Sequence, residues 1–66
     1  MTTTFGMRLK RLRHARGWTQ KDLAKRAKFS QGFIAQLETG VQDNPTLYTL
    51  RRLAKELKTT VGELVG

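Results

Sequence analysis

Sixty-six residues suffice for one domain whose small core buries roughly 60% of the surface its unfolded chain exposes. The chain has no cysteine, so neither a disulfide nor a thiolate-held metal can brace that core. No stretch approaches the roughly 18 apolar residues needed to span a membrane. Thirteen Lys and Arg against five Asp and Glu leave a net charge of +8, the footprint of a polyanion binder or of a heavily solvated surface.

The charge is unevenly spread. Nine basic residues lie at or before Lys28, none between residues 29 and 50, and four from Arg51 onward. Residues 1–4 lack the charged and apolar regions of a signal peptide. They are expected to be a disordered tail on a single domain (residues 1–66) in the cytoplasm, at the nucleoid.

Phe5, Leu9 and Leu12 recur at i, i+4 and i+7, which predicts a first helix ending near Gly17. Arg8, Lys10, Arg11, Arg13 and Arg16 are too dense on it to share one face. Some are expected to reach phosphate and others only water, while Arg13, next to Leu12, can point partly inward. His14 reads as a surface residue and Trp18 as core or core rim.

Thr19 stands where its hydroxyl would cap a second helix carrying Leu23, Ala24 and Ala27, and Ser30 would cap a third carrying Ile34 and Leu37. The linker of Lys28 and Phe29 is too short for an antiparallel hairpin, so the two helices should cross at a large angle as a helix-turn-helix over residues 19–39. Gln20 sits in the first turn of the second helix, where free N–H groups and the positive end of the helix dipole offer a phosphate seat. Lys21, Lys25 and Arg26 add charge, and Asp22 suits the dipole.

With Ile34 and Leu37 turned to the core, the third helix presents Ser30, Gln31, Gly32, Phe33 and Gln36 outward. A helix fits the DNA major groove with its N-terminal residues at base edges, and a glutamine amide matches adenine N6 and N7. Gln31 and Gln36 are therefore the expected base readers, and an A·T-rich half-site is expected. Gly32 offers no side chain but allows close backbone approach. Phe33 has two outcomes, a thymine methyl or the core.

Residues 40–46 form a loop punctuated by Gly40, Asn44 and Pro45. Asp43 would repel phosphate there. Thr46 can cap a fourth helix whose Leu47, Leu50, Leu53, Ala54 and Leu57 form a broad core stripe, with Arg51, Arg52, Lys55 and Lys58 on its solvated side. Val61, Leu64 and Val65 make a short fifth helix that either plugs the domain or joins a dimer contact.

Gln20, Ala24, Ile34 and Leu37, followed by Glu38-Thr39-Gly40 and Pro45, resemble the helix-turn-helix of the phage repressor and Cro superfamily (XRE-type), over residues 5–65. The resemblance implies an all-α, lambda-repressor-like fold: a compact bundle of five short helices around a central helix-turn-helix. It also implies a structural ion pair between Arg13 and Glu38, and a Gln20 that touches phosphate and braces Gln31. Lys28 departs from the family, which usually has glycine at this turn because φ is positive; a lysine there costs about 1 kcal/mol. The family's loop lies along the DNA backbone, and its last helix often forms a two-fold contact, here Val61, Leu64 and Val65.

The expectation is a sequence-specific double-stranded DNA-binding transcriptional regulator, a repressor, acting as a homodimer on a pseudo-palindromic operator. Base reading would fall to Gln31, Gln36, Phe33, Ser30 and Gly32, and phosphate contact to Thr19, Gln20, Lys21, Arg11, Arg13, Thr39 and Asn44. No nucleophile–base pair or metal-ligand cluster is legible, so no catalytic residue, metal or cofactor is expected. Two alternatives share the fold. One is an antitoxin or restriction-modification controller autoregulating its operon, and the other an adaptor holding a partner protein such as a toxin or polymerase.

Overall fold

Helix ends are where this chain spends its small polar residues. The computed structural model describes residues 4–42 and 44–65, in five α-helices: α1 (Thr4–Ala15), α2 (Gln20–Ala27), α3 (Gln31–Thr39), α4 (Leu47–Leu57) and α5 (Val61–Val65). Orphan N–H groups at a helix start need an acceptor. The Oγ atoms of Thr19, Ser30, Thr46 and Thr60 accept from the backbone N–H of Asp22, Phe33, Thr49 and Glu63. At the other ends the chain turns through left-handed residues, Gly17, Lys28, Gly40 and Lys58. Lys28 takes the positive φ (62°) expected of it, and Lys58 (53°) does so at a second helix end.

Six large apolar side chains are fully buried, and together they come from all five helices: Leu9, Leu23, Ile34, Leu37, Leu53 and Leu64. Each contributes roughly 1.5–3 kcal/mol by leaving water. Phe5, Leu12, Trp18, Phe29, Phe33 and Val61 pack around them, half-buried. α1 lies on α3 and α5, α2 on α3 and α4, and α5 closes the bundle against α1 and α4. Among the described residues no helix is long and apolar enough to cross a membrane.

Several expectations are revised. α1 begins at Thr4, so that residue is helical rather than part of a tail, and residues 1–3 lie outside the described residues. So does Asp43, whose expected repulsion of phosphate therefore has no structural counterpart here. Leu47 is 53% exposed and Leu50 only half-buried, because α4 turns its Thr49 side inward and leaves the first turn at the surface. Leu64 is a core plug and cannot serve a dimer surface, which leaves Val65, exposed, and Val61, half-buried, as the accessible apolar groups of α5.

The buried face of α1 is Gly6, Leu9 and Arg13, rotated slightly from the apolar stripe that ends at Leu12. Gly6 is there because α1 crosses the end of α3 at backbone distance. A Cβ on it would stand 2.5 Å from the Glu38 carbonyl oxygen and 2.7 Å from that of Leu37. Neither is a side chain that can swing away, so the helices would have to part. Gly6→Ala is therefore expected to destabilise the fold by about 1–3 kcal/mol despite alanine's higher helix propensity, the cost of overpacking a close contact. Thermal denaturation of the two proteins decides it; an unchanged or higher Tm would refute the close approach.

Candidate nucleic-acid interface

The geometry of the helix-turn-helix hangs on one buried carboxylate. Glu38 accepts from Arg13 twice, from Nε to Oε2 at 2.6 Å and from Nη2 to Oε1 at 3.0 Å. Oε1 also accepts from the Gln20 side-chain amide at 3.1 Å. Arg13 Nη1 donates to the Trp18 carbonyl oxygen at 2.7 Å. The end of α1, the turn after it, the start of α2 and the end of α3 thus meet at a single bidentate pair, the strong geometry for arginine and carboxylate.

Two expected roles change with this arrangement. Arg13 is buried with all three guanidinium nitrogens engaged inside the protein, so it is no phosphate ligand. Gln20 gives its amide to Glu38 rather than bracing Gln31. Removing one partner from a buried pair strands the other charge, at a cost of roughly 3–5 kcal/mol. Glu38→Ala is expected to lose about that much in denaturant titration, while Arg13→Met combined with Glu38→Leu should be less damaging than either single change. A double variant as unstable as the sum of the singles would refute that account.

At the start of α2, Thr19 and Asp22 form a capping box: Thr19 N–H donates to Oδ2 of Asp22 at 2.9 Å, and Asp22 N–H donates to the Thr19 hydroxyl oxygen at 3.1 Å. Two amides are thereby used, and those of Gln20 and Lys21 remain for an anion from outside. The Thr19 backbone hydrogen bond, then the one from its hydroxyl, holds the Asp22 carboxyl below its ordinary value of 3.8, with Arg26 and Lys21 adding to the effect. Because the folded value is the lower one, this cap stabilises the fold fully above pH 3.8 and its contribution fades as the pH falls through the folded value. Asp22→Asn should flatten that acid limb in thermal melts; a wild-type-like acid limb in the variant would rule the cap out as its source.

α3 exposes Gln31, Gly32 and Gln36. A helical side chain leans toward the preceding turn, so Gln36 lies over the bare position of Gly32. Space around Gly32 is open: a Cβ there would meet nothing within 4 Å. Ser30 is exposed and its oxygen is taken by the Phe33 amide. Of the two outcomes for Phe33, the core prevails: its half-buried ring tilts against Phe29, with centroids 5.2 Å apart. The Thr39 hydroxyl donates back into its own helix, to the carbonyls of Ala35 (2.9 Å) and Gln36 (3.4 Å), so it has no proton for a phosphate. Asn44, Lys21 and Arg11 are exposed.

Two of the arginines tie helix ends. Arg16 Nη2 donates to the Leu57 carbonyl oxygen at 3.1 Å, and Arg52 Nε to that of Ala27 at 2.9 Å. Both meet the last carbonyls of a helix, where a cation suits the dipole. Arg52 is therefore not simply solvated. Arg26 stacks over the Trp18 ring, 4.4 Å from its centroid. Partners 25 and 41 residues away in sequence leave no local signal, so only the packing reveals them.

Lys10 and Arg11 of α1 are exposed, as are Lys21, Lys25, Lys28, Arg51, Lys55 and Lys58 on the rest of the chain. Lys10, Arg11 and His14 line an open groove of about 480 Å³ that Met7, Gln20 and Thr39 complete, with Glu38 at its base. Among the described residues no carboxylate pairs with Lys10 or Arg11. The groove thus joins one side of α1 to the start of α2 and the end of α3.

That combination has relatives. The chain belongs to the helix-turn-helix domain family, whose model matches residues 4–65. It is 40% identical over 65 residues to the HTH-type transcriptional regulator y4dJ of Sinorhizobium fredii, covering 98% of this chain and 83% of that protein. It is 38% identical to the immunity repressor protein of Bacillus phage phi105, covering 96% of this chain but only 43% of the repressor. In structure it is similar to the restriction-modification controller protein C.AhdI of Aeromonas hydrophila, with a TM-score of 0.84 and 35% identity over 91% of this chain and 89% of that one. It also matches the biofilm regulator SinR in complex with DNA, with a TM-score of 0.92 and 25% identity over 96% and 100% of the two chains.

Proposed function

We propose that this protein is a sequence-specific, double-stranded DNA-binding transcriptional repressor. It enters the major groove with α3, and as a homodimer it sets two such helices one helical turn apart on a pseudo-palindromic operator. The observation that carries the reading is a division of labour between helices. α3 shows amides and no charge, while cations stand on α1 and α2 beside it. Phosphate contacts position a protein and base edges specify it. Gln31 and Gln36 read bases; Lys21, Arg11 and the Gln20 and Lys21 backbone amides hold phosphates, with Asn44 contributing from the loop. Ser30 and Gly32 serve by position, one as the cap and the other by letting the backbone approach.

Likeness to the DNA complex of SinR supports this reading. The dimer contact would use Val65 and the accessible part of Val61 on α5. The activity is binding rather than catalysis, and its setting is the nucleoid. C.AhdI favours a second reading of the same chemistry, a controller that regulates its own operon.

Selection from a random duplex pool at about 0.15 M salt is expected to enrich an A-containing motif as an inverted pair, with centres about 10 base pairs apart. Gln31→Ala should relax preference at one base position and cost roughly 1–3 kcal/mol of binding. Lys21→Ala should weaken all sequences alike and flatten the slope of log K against log salt by up to about one unit. An absence of any enriched motif would overturn the DNA reading in favour of an adaptor.

A further inference from the structure

Where α1 meets α5 there is a smaller groove, of about 180 Å³, lined by Arg8, Arg11, Leu12 and Glu63. We propose that it binds a small organic carboxylate between the heads of Arg8 and Arg11, and that this ligand weakens the hold on DNA. The site rests on geometry alone, whereas its effect on DNA rests on the reading of the chain as a DNA-binding protein.

Arg8 stands three residues from Arg11 and four from Leu12, so two guanidinium heads and an apolar side chain share one face of α1. Other arginines of this protein end on close acceptors, Arg13 at 2.6–3.0 Å, Arg16 at 3.1 Å and Arg52 at 2.9 Å. Arg8 does not. Its Nε is buried with no hydrogen-bond partner, and its Nη1 reaches the Glu63 carbonyl oxygen only at 3.5 Å, the outer limit of such a bond. A buried charged donor left unmet costs free energy, so a turn of the head that brings Nε to an acceptor in the groove is favoured. The Glu63 carboxylate is not that acceptor. Its Oε2 accepts from the Thr59 hydroxyl at 2.7 Å, and among the described residues no carboxylate pairs with Arg8 or Arg11. Two guanidinium charges against one carboxylate leave the groove net positive.

A planar carboxylate offers two oxygens at the spacing of the Nε and Nη donors of a guanidinium fork. Half-buried Leu12 gives a short hydrocarbon tail a surface to lie on. A volume of about 180 Å³ falls below the roughly 300–1,000 Å³ of drug-sized sites, which suits a monocarboxylate of a few carbons. Arg11 borders both this groove and the one that reaches α2. A carboxylate on the α5 side draws its head away from the phosphate it holds in the DNA complex, so ligand and duplex compete for one cation.

Butyrate is the probe, added to the free protein in place of chloride. It should shift the NMR signals of the Arg8 Nε–H and the Leu12 methyls to saturation, and inorganic phosphate should not. Arg8→Gln should lose the Leu12 response, and so should Arg8→Lys, which keeps the charge without the fork. Duplex affinity is then measured at a constant sodium concentration of about 0.15 M. Exchange of chloride for butyrate should lower it up to about five-fold in the wild type, the worth of one phosphate contact at that salt, and leave it unchanged in Arg8→Gln.

The absence of a saturating shift, or one that survives in both Arg8 variants, overturns the site. Equal saturation by inorganic phosphate overturns the carboxylate assignment. Shifts that follow protein concentration instead of butyrate give the groove to a second copy of the chain and overturn it too. Saturation with unchanged duplex affinity overturns the effect on DNA alone. A wild type that binds no duplex overturns the DNA reading, while the butyrate shifts still decide the site.

Discussion

The bidentate contact between Arg13 and Glu38 is the constraint on which the rest of this fold depends. A domain this small has few large side chains with which to hold helix orientations. Packing of leucines alone tolerates sliding, whereas a planar guanidinium facing a carboxylate accepts one approach. Because Gln20 and the Trp18 carbonyl join the same pair, the crossing of α2 and α3 and the exit from α1 are set together. Gly6 follows from the same demand, since α1 must come to backbone distance of α3 for Arg13 to reach Glu38.

A strongly basic composition conceals two populations. Arg13, Arg16 and Arg52 are bound to carbonyls and a carboxylate within the protein. Lys10, Arg11 and Lys21 stand at the surface near the start of α2. Arginine suits the first task because its fork of donors can satisfy several acceptors at a helix end while its stem covers apolar surface. A hydrogen bond to a carbonyl leaves the charge of Arg16 and Arg52 in place but fixes where it stands. Where the charge stands matters more than how much of it there is.

On α3 the chemistry is neutral and sparse. Gly32 leaves space, Phe33 joins Phe29 at the core edge, and two amides remain. A surface of that kind discriminates through hydrogen-bond pattern and shape rather than through attraction, so affinity has to come from elsewhere on the molecule.

The sequence by itself determined the five helices, the caps at Thr19, Ser30 and Thr46 and most of the core, because those follow from local periodicity and from hydroxyls standing before apolar runs. It also placed Gln31 and Gln36 on the outer face of α3, since Ile34 and Leu37 settle which way that helix turns. The pairing of Arg13 with Glu38 came from family likeness, not from spacing. Only the tertiary structure decided that Arg13 is lost to phosphate, that Thr39 bonds to its own helix, that Leu64 is core while Leu47 is not, and that Arg16 and Arg52 tie distant helix ends. The physical reason is common to all of these. Each depends on a partner brought near by the packing of another helix or on which way a donor points, and neither has a period that a linear chain can display.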